Sequence, residues 1–109
     1  MRKINPAELA KWISQSSSTA VSPQLVDVRE PWEFDKCHLP GAVLIPMGEI
    51  QGRLEEIDAQ RPVVCICHHG ARSMQVAHFL ESQGLHDVCN LTGGVEAWAL
   101  QVDPQFPRY

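Results

Sequence analysis

No apolar run in these 109 residues approaches the roughly 20 needed to cross a bilayer as a helix. Asn5-Pro6 interrupts any signal-peptide core behind Arg2-Lys3, so the chain is expected to be cytoplasmic. There is no basic patch. The nine Lys and Arg residues are scattered and the net charge is −4, which excludes a surface built for nucleic acid or an anionic membrane. Internal repeats and low-complexity tracts are absent. Gly93-Gly94 lacks the remaining spacing of a dinucleotide-binding loop, and the pair is expected to make a tight strand-to-helix turn instead. A disulfide framework is also missing: the four cysteines, at 37, 65, 67 and 89, do not make that of a small secreted protein, and Cys65 and Cys67 sit too close on one strand to bridge easily. Free thiols in a reducing compartment are the expectation. Cationic charge is also scarce late in the chain: after Arg61 only Arg72 and Arg108 follow.

What is present describes an ordinary globular domain. Hydrophobic residues make up 44% and charged residues 20%, and the length suits one domain over residues 1–109 with a single core. Asn5-Pro6-Ala7-Glu8 predicts a helix start, with Asn5 as N-cap and Glu8 as its reciprocal partner. Leu9, Trp12 and Ile13 supply its apolar stripe. Ser16 to Thr19 reads as a polar loop. Leu25 to Val28, Ala42 to Ile45, Val63 to Ile66 and Val88 to Leu91 read as short buried strands. Between them lie a helical turn at Pro31 to Phe34, a turn at Pro40-Gly41 and a helix face of Ile50, Leu54 and Ile57. A clear helix runs from Ser73 to Gln83, with Val76, Phe79 and Leu80 inward and Gly84 as its cap. The final helix opens at Gly93-Gly94 and runs through Val95, Trp98 and Leu100. Strands alternating with helices predict an α/β fold, a parallel sheet covered by helices on both faces. Ligand sites in such sheets lie beyond the carboxyl ends of the strands.

One stretch stands at such an end. Val63 to Ile66 feeds Cys67-His68-His69-Gly70-Ala71-Arg72-Ser73, in which a cysteine is followed by a loop and then by a helix start carrying an arginine. Backbone N–H groups of a tight loop and of a first helical turn form an anion-binding concavity. A cysteine there can be held as a thiolate, and so as a nucleophile. Most lone cysteines are inert packing, and Cys65, two residues back in the apolar strand, fits that role. His68 and His69 lie between the nucleophile and its helix, where they would rim the pocket and add switchable positive charge. Adjacent ligands that point apart rarely share one ion, so Cys65, Cys67, His68 and His69 do not make an expected zinc site, and no metal or cofactor is implied. Asp27, Arg29, Glu30 and Glu33 have the spacing of ion pairs and helix caps, not of an acid–base dyad. His38 reads as a hydrogen-bonding turn residue.

Four ordered motifs then resemble the single-domain rhodaneses over nearly the whole chain. They are Asp27-Val28-Arg29-Glu30-Pro31-Trp32-Glu33-Phe34, His38-Leu39-Pro40-Gly41-Ala42, the Cys67-to-Ser73 loop, and Leu91-Thr92-Gly93-Gly94-Val95-Glu96-Ala97-Trp98. The resemblance implies a rhodanese-like fold with a parallel five-stranded sheet, Lys3-Ile4 supplying a short edge strand. It implies a sulfurtransferase in which Cys67 carries a persulfide, taken from a small donor such as thiosulfate or a persulfide. The sulfur then passes to a thiophilic acceptor, cyanide or a thiol, and a sulfur-relay protein is a further candidate partner. In this reading His68, His69, Gly70, Ala71, Arg72 and Ser73 contact the substrate, Arg72 orients an anionic donor and Ser73 donates to the sulfur. Three positions depart from the pattern. Cys37 stands where glycine is expected, Cys89 where an aromatic is frequent, and His68 where thiosulfate users often have arginine or lysine. A phosphatase or arsenate reductase of the related fold needs five residues between cysteine and arginine, and here there are four. A rhodanese-like binding module without catalysis is the remaining alternative, although such modules commonly lack the cysteine.

Overall fold

A computed structural model of the chain describes residues 1–15 and 22–109; the polar loop expected at Ser16 to Thr19 lies outside them. The elements alternate along the chain: β1 (Arg2–Ile4), α1 (Pro6–Gln15), β2 (Gln24–Asp27), α2 (Pro31–Lys36), β3 (Val43–Leu44), a 3-10 segment (Met47–Glu56), β4 (Val63–Ile66), α3 (Ala71–Ser82), β5 (Val88–Leu91) and α4 (Gly94–Gln101). The five strands form one sheet in the order β1-β5-β4-β2-β3, and every pair is parallel. This is the parallel α/β sheet that the alternation of strands and helices predicts, with the five strands and the β1 edge that the resemblance implies.

Alternation along β4 divides the core. Val64 and Ile66 face one apolar layer with Leu9 of α1 and Val95 and Trp98 of α4. Val63 and Cys65 face the other, with Ile50 of the 3-10 segment, Ile57 just after it, and Val76, Ala77 and Leu80 of α3. Successive side chains of a strand point to opposite faces, so Cys67, two residues beyond Cys65, continues on the α3 side. That parity aims Cys67 at the amino end of α3. All four β4 residues are completely buried, which a central parallel strand covered on both faces requires.

The capping box of α1 forms as read: Asn5 Oδ1 accepts from Glu8 N–H and Glu8 Oε1 accepts from Asn5 N–H. Several details differ from expectation. Ile13 is exposed although it lies one turn past the buried Leu9 on the same face of α1. Leu100 is 62% exposed, since Val95, Trp98 and Ala99 already fill the inward face of α4 and Leu100 falls one position past it. Ala77 takes the buried place on α3 expected for Phe79, which is only partly covered. The strand at Ala42 to Ile45 shrinks to Val43–Leu44 at the sheet edge, where Val43 is exposed. Of the helix face expected at Ile50, Leu54 and Ile57, the first two lie in 3-10 geometry interrupted at Arg53, whose backbone leaves the helical region, and Ile57 follows the segment in extended backbone.

Candidate active site

Because the strands are parallel, β2, β4 and β5 deliver their carboxyl ends to one edge, and three of the four sequence motifs meet there. The loop after β4 runs from Cys67 to Gly70, whose positive φ of 107° turns the chain into α3. The Cys67 Sγ accepts from Gly70 N–H at 3.0 Å, from Ser73 N–H at 3.3 Å and from the Ser73 hydroxyl at 3.3 Å. Cys67 itself is only 1% exposed. Donors from the loop and from the first turn of α3 thus converge on one sulfur.

The carbonyls of Cys67 and His68 point the other way. They accept from Val95 N–H at 2.9 Å and Glu96 N–H at 3.1 Å, and so satisfy the amino end of α4. Only glycine fits where the two segments cross. A Cβ on Gly94 would lie 2.2 Å from the Cys67 carbonyl oxygen and 2.4 Å from that of His68. The Gly93-Gly94 pair, with φ of 79° and 60°, therefore makes the tight turn expected of it and also presses the active loop into shape.

Ser73 is completely buried and its one hydroxyl proton has three acceptors. Besides the Cys67 sulfur these are Gly70 O at 3.2 Å and Asn90 Oδ1 at 2.5 Å, and Asn90 Nδ2 donates in turn to Gly70 O at 3.1 Å. Asn90 lies in β5 and is 1% exposed. Sequence reasoning passed over it, although a polar side chain inside the apolar run Val88-Cys89-Asn90-Leu91 is itself a signal, since buried amides need partners.

Arg72, on the first turn of α3, does not stand free. Its Nη1 and Nη2 donate to the two carboxylate oxygens of Glu33 at 2.7 and 2.9 Å. Glu33 belongs to α2 and also closes that helix's capping box by accepting from Glu30 N–H. The Arg72 guanidinium holds the Glu33 carboxyl well below its ordinary range, at about 2, with the Glu30 N–H and the Tyr109 hydroxyl adding to this and burial opposing it. Arg72 is raised by the same pairing, and the nearby Cys67 adds to that rise.

Asp27 and Arg29 form the structural ion pair expected of them. Both side chains are fully buried, with Arg29 Nη2 donating to Asp27 Oδ2 at 2.7 Å. The same nitrogen donates to the Cys37 carbonyl at 2.6 Å, so Cys37 enters the network through its backbone while its own side chain packs in the core. Burial would lower the Arg29 pKa, but the hydrogen bonds and charge of Asp27 outweigh it and raise the group. His38 Nδ1 meets the Phe34 carbonyl at 2.8 Å, the turn role read for it.

His68 and His69 stack on each other at 4.0 Å, and His68 stacks on Tyr109 at 4.0 Å. Burial and then the neighbouring His69 push the His68 pKa down. His69 is exposed. It flanks an opening of about 340 Å³ on the outer side of the loop, together with Lys3, Gly70, Ala71, Met74 and Asn90. Tyr109 was missed by sequence reasoning; it meets Arg29 and Glu33 across 80 and 76 residues of chain, a separation at which local pattern carries no signal. Cys65 is fully buried, and burial pushes its thiol up to about 12, as suits a packing residue. Among the described residues no group of three His, Cys, Asp or Glu side chains is placed to hold a metal ion, and no helix is long and apolar enough to cross a membrane.

Known proteins resemble this chain in sequence and in fold. A thiosulfate sulfurtransferase from Pseudomonas syringae is 39% identical over 74 residues, covering 68% of this chain and 70% of that protein. A sulfurtransferase from Allochromatium vinosum is 41% identical over 87 residues, covering 80% and 81%. The crystal structure of a rhodanese-like domain protein from Staphylococcus aureus superposes with a TM-score of 0.81 at 32% identity, covering 100% of this chain and 99% of that one. The chain spans less than half the length of other curated relatives it matches, such as 42% of a putative sulfur carrier protein from Bacillus subtilis, 39% identical over 77 residues that make up 71% of this chain. The family model for the rhodanese-like domain matches residues 5–101, and with that match the chain belongs to the rhodanese-like family.

Proposed function

We propose that this domain is a sulfurtransferase that carries a sulfane sulfur as a persulfide on Cys67. The observation that carries this reading is the convergence of Gly70 N–H and Ser73 N–H on one cysteine sulfur at a strand end, with the Ser73 hydroxyl 3.3 Å from it. Donors fixed before reaction favour negative charge at that point, whether on the thiolate or on the persulfide that replaces it. In the first half-reaction the Cys67 thiolate attacks the outer sulfur of thiosulfate, a bond to Cys67 forms, and the S–S bond of the donor breaks with its electron pair leaving on sulfite. In the second, cyanide or a thiolate attacks the terminal sulfur, and the Cys67 thiolate returns as leaving group. This is covalent catalysis in two steps.

Arg72 supplies the only guanidinium of the loop and steers the anionic donor, while Gly70, Ala71 and Ser73 shape the ring around the sulfur. His68 and His69 line the rim. The near-complete burial of Cys67 favours a small or extended sulfur group as donor. Thiosulfate and a low-molecular-weight persulfide both meet that demand, and a relay protein presenting a cysteine is the fitting macromolecular acceptor. Buried free thiols at 37, 65 and 89 suit a reducing, cytoplasmic compartment. The test is turnover of thiosulfate and cyanide by Cys67→Ser and Cys65→Ser. The first should abolish transfer, whereas the second should retain it in whatever protein stays folded; substantial activity in Cys67→Ser would refute the proposal.

A further inference from the structure

Tyr109 occupies a place that the sulfur chemistry above leaves unexplained. The chain after α4 is tied down along its length: Phe106 is buried in the core, Arg108 pairs with Glu96, and Tyr109 reaches the edge of the Cys67 loop. There the Tyr109 oxygen accepts from Arg29 Nη1 at 2.7 Å, and its hydroxyl donates to Glu33 Oε2 at 2.8 Å. The same Glu33 oxygen accepts from Arg72 Nη2 at 2.9 Å. Its ring stacks face to face on His68 and meets Trp32 edge-on at 5.8 Å. One side chain thus links the buried Asp27–Arg29 pair to the arginine of the active loop.

The consequence is electrostatic. Arg72 faces a carboxylate through both of its terminal nitrogens, and a carboxylate that spent its whole charge there would leave little attraction for an anionic donor. The Tyr109 hydroxyl, polarised by Arg29, takes part of the Glu33 charge away from Arg72. We propose that Tyr109 is a positioning residue of the Cys67 site, sharing Glu33 with Arg72 so that Arg72 keeps attraction for an anionic donor, and holding His68 in place with its ring. This rests on the sulfurtransferase reading only for its biological meaning; the field at Cys67 can be measured without sulfur transfer.

The experiment compares Tyr109→Phe and Tyr109→Ala with wild type in the full chain at fixed ionic strength. Cys67 is alkylated with iodoacetate, an anion, and with iodoacetamide, a neutral reagent of similar size, and the site is followed by peptide mass. The ratio of the two rates reads the attraction for anions, while a general loosening of the loop changes both rates alike. Tyr109→Phe keeps the ring and loses the hydroxyl, so the ratio should fall by about three-fold. In a Glu33→Gln background the same substitution should leave the ratio unmoved, because the effect passes through Glu33. Histidine titration by NMR reads the ring. His68 is faced by His69, Glu33, Glu96, Arg29 and Tyr109, and its midpoint should rise toward the ordinary histidine value in Tyr109→Ala but stay put in Tyr109→Phe. An unchanged ratio in Tyr109→Phe, a fall of equal size in the Glu33→Gln background, or a His68 midpoint that does not move in Tyr109→Ala would each overturn the proposal. Absence of sulfur transfer in wild type would instead refute the function proposed above, and the alkylation ratio would still decide the role of Tyr109.

Discussion

Arg72 and Glu33 lie 39 residues apart in the chain and form a two-pronged ion pair at 2.7 and 2.9 Å, joining the first turn of α3 to α2. Glu33 is nearly buried, whereas Arg72 remains 37% exposed. The pair thus anchors the arginine of the loop on one side and leaves it open to a ligand on the other. A bidentate guanidinium–carboxylate pair fixes direction as well as distance, which a lysine would not do.

Replacing Glu33 with Gln should reveal this pairing in the pH dependence of stability. The folded carboxyl titrates at about 2 against an ordinary value of 4.5. A depressed carboxyl contributes stability that is fully present above the unfolded value and is lost as pH falls through the folded one. At pH 7 the variant should be less stable by about 2 kcal/mol, after discounting for solvent screening at Arg72. The difference should begin to shrink below about pH 5 and vanish near pH 2. Urea melts of both proteins across this range check it, and a difference that stays constant down to about pH 2 would contradict the assignment.

Arg72→Ala should reduce thiosulfate turnover on the order of 10²-fold, through loss of donor orientation and of charge beside Cys67. It should also destabilise the fold by about 1–3 kcal/mol, since the Glu33 carboxylate loses its main partner in a buried position. Arg72→Lys should rescue only part of the turnover. Steady-state kinetics with thermal melts separate the two effects, and equal activity in wild type and Arg72→Ala would show that backbone donors suffice.

Gly94→Ala should damage the site without touching any group that meets the sulfur. The added Cβ has no room beside the Cys67 and His68 carbonyls, and φ at this position is 60°. The expected cost is about 3 kcal/mol or more, together with loss of sulfur transfer in the protein that remains folded. Gly52→Ala is the control. Nothing lies within 4 Å of its Cβ position, so it should be neutral or gain up to about 1 kcal/mol. Similar stabilities for the two variants would contradict the close packing of α4 on the loop.

Much of this was legible from local pattern. Val63 to Ile66 is apolar throughout and is the fully buried central strand; Asn5 and Glu8 cap their helix as the spacing requires. The Cys67 loop was readable because cysteine, glycine and arginine stand in order at a strand end. Where reading stopped, the missing information was tertiary. Ala42 to Ile45 is as apolar as a central strand, yet it forms a two-residue edge, because an apolar run does not say how many neighbours a strand will have. Leu100 and Ile13 are as apolar as their buried neighbours, yet both are exposed. Asn90 and Tyr109 enter the site only when β5 and the segment after α4 reach the loop, and Arg72 finds Glu33 only when α2 packs beside it.

The most direct test of the central claim is the intact mass of the full chain after treatment with thiosulfate, followed by peptide mapping. The wild-type chain should gain one sulfur atom, located on Cys67, retained in the absence of reductant and removed by cyanide as thiocyanate. Cys67→Ser should gain none. A wild-type protein that takes up no sulfur from thiosulfate or from a small persulfide, or one that carries the added sulfur on Cys37, Cys65 or Cys89, would contradict it.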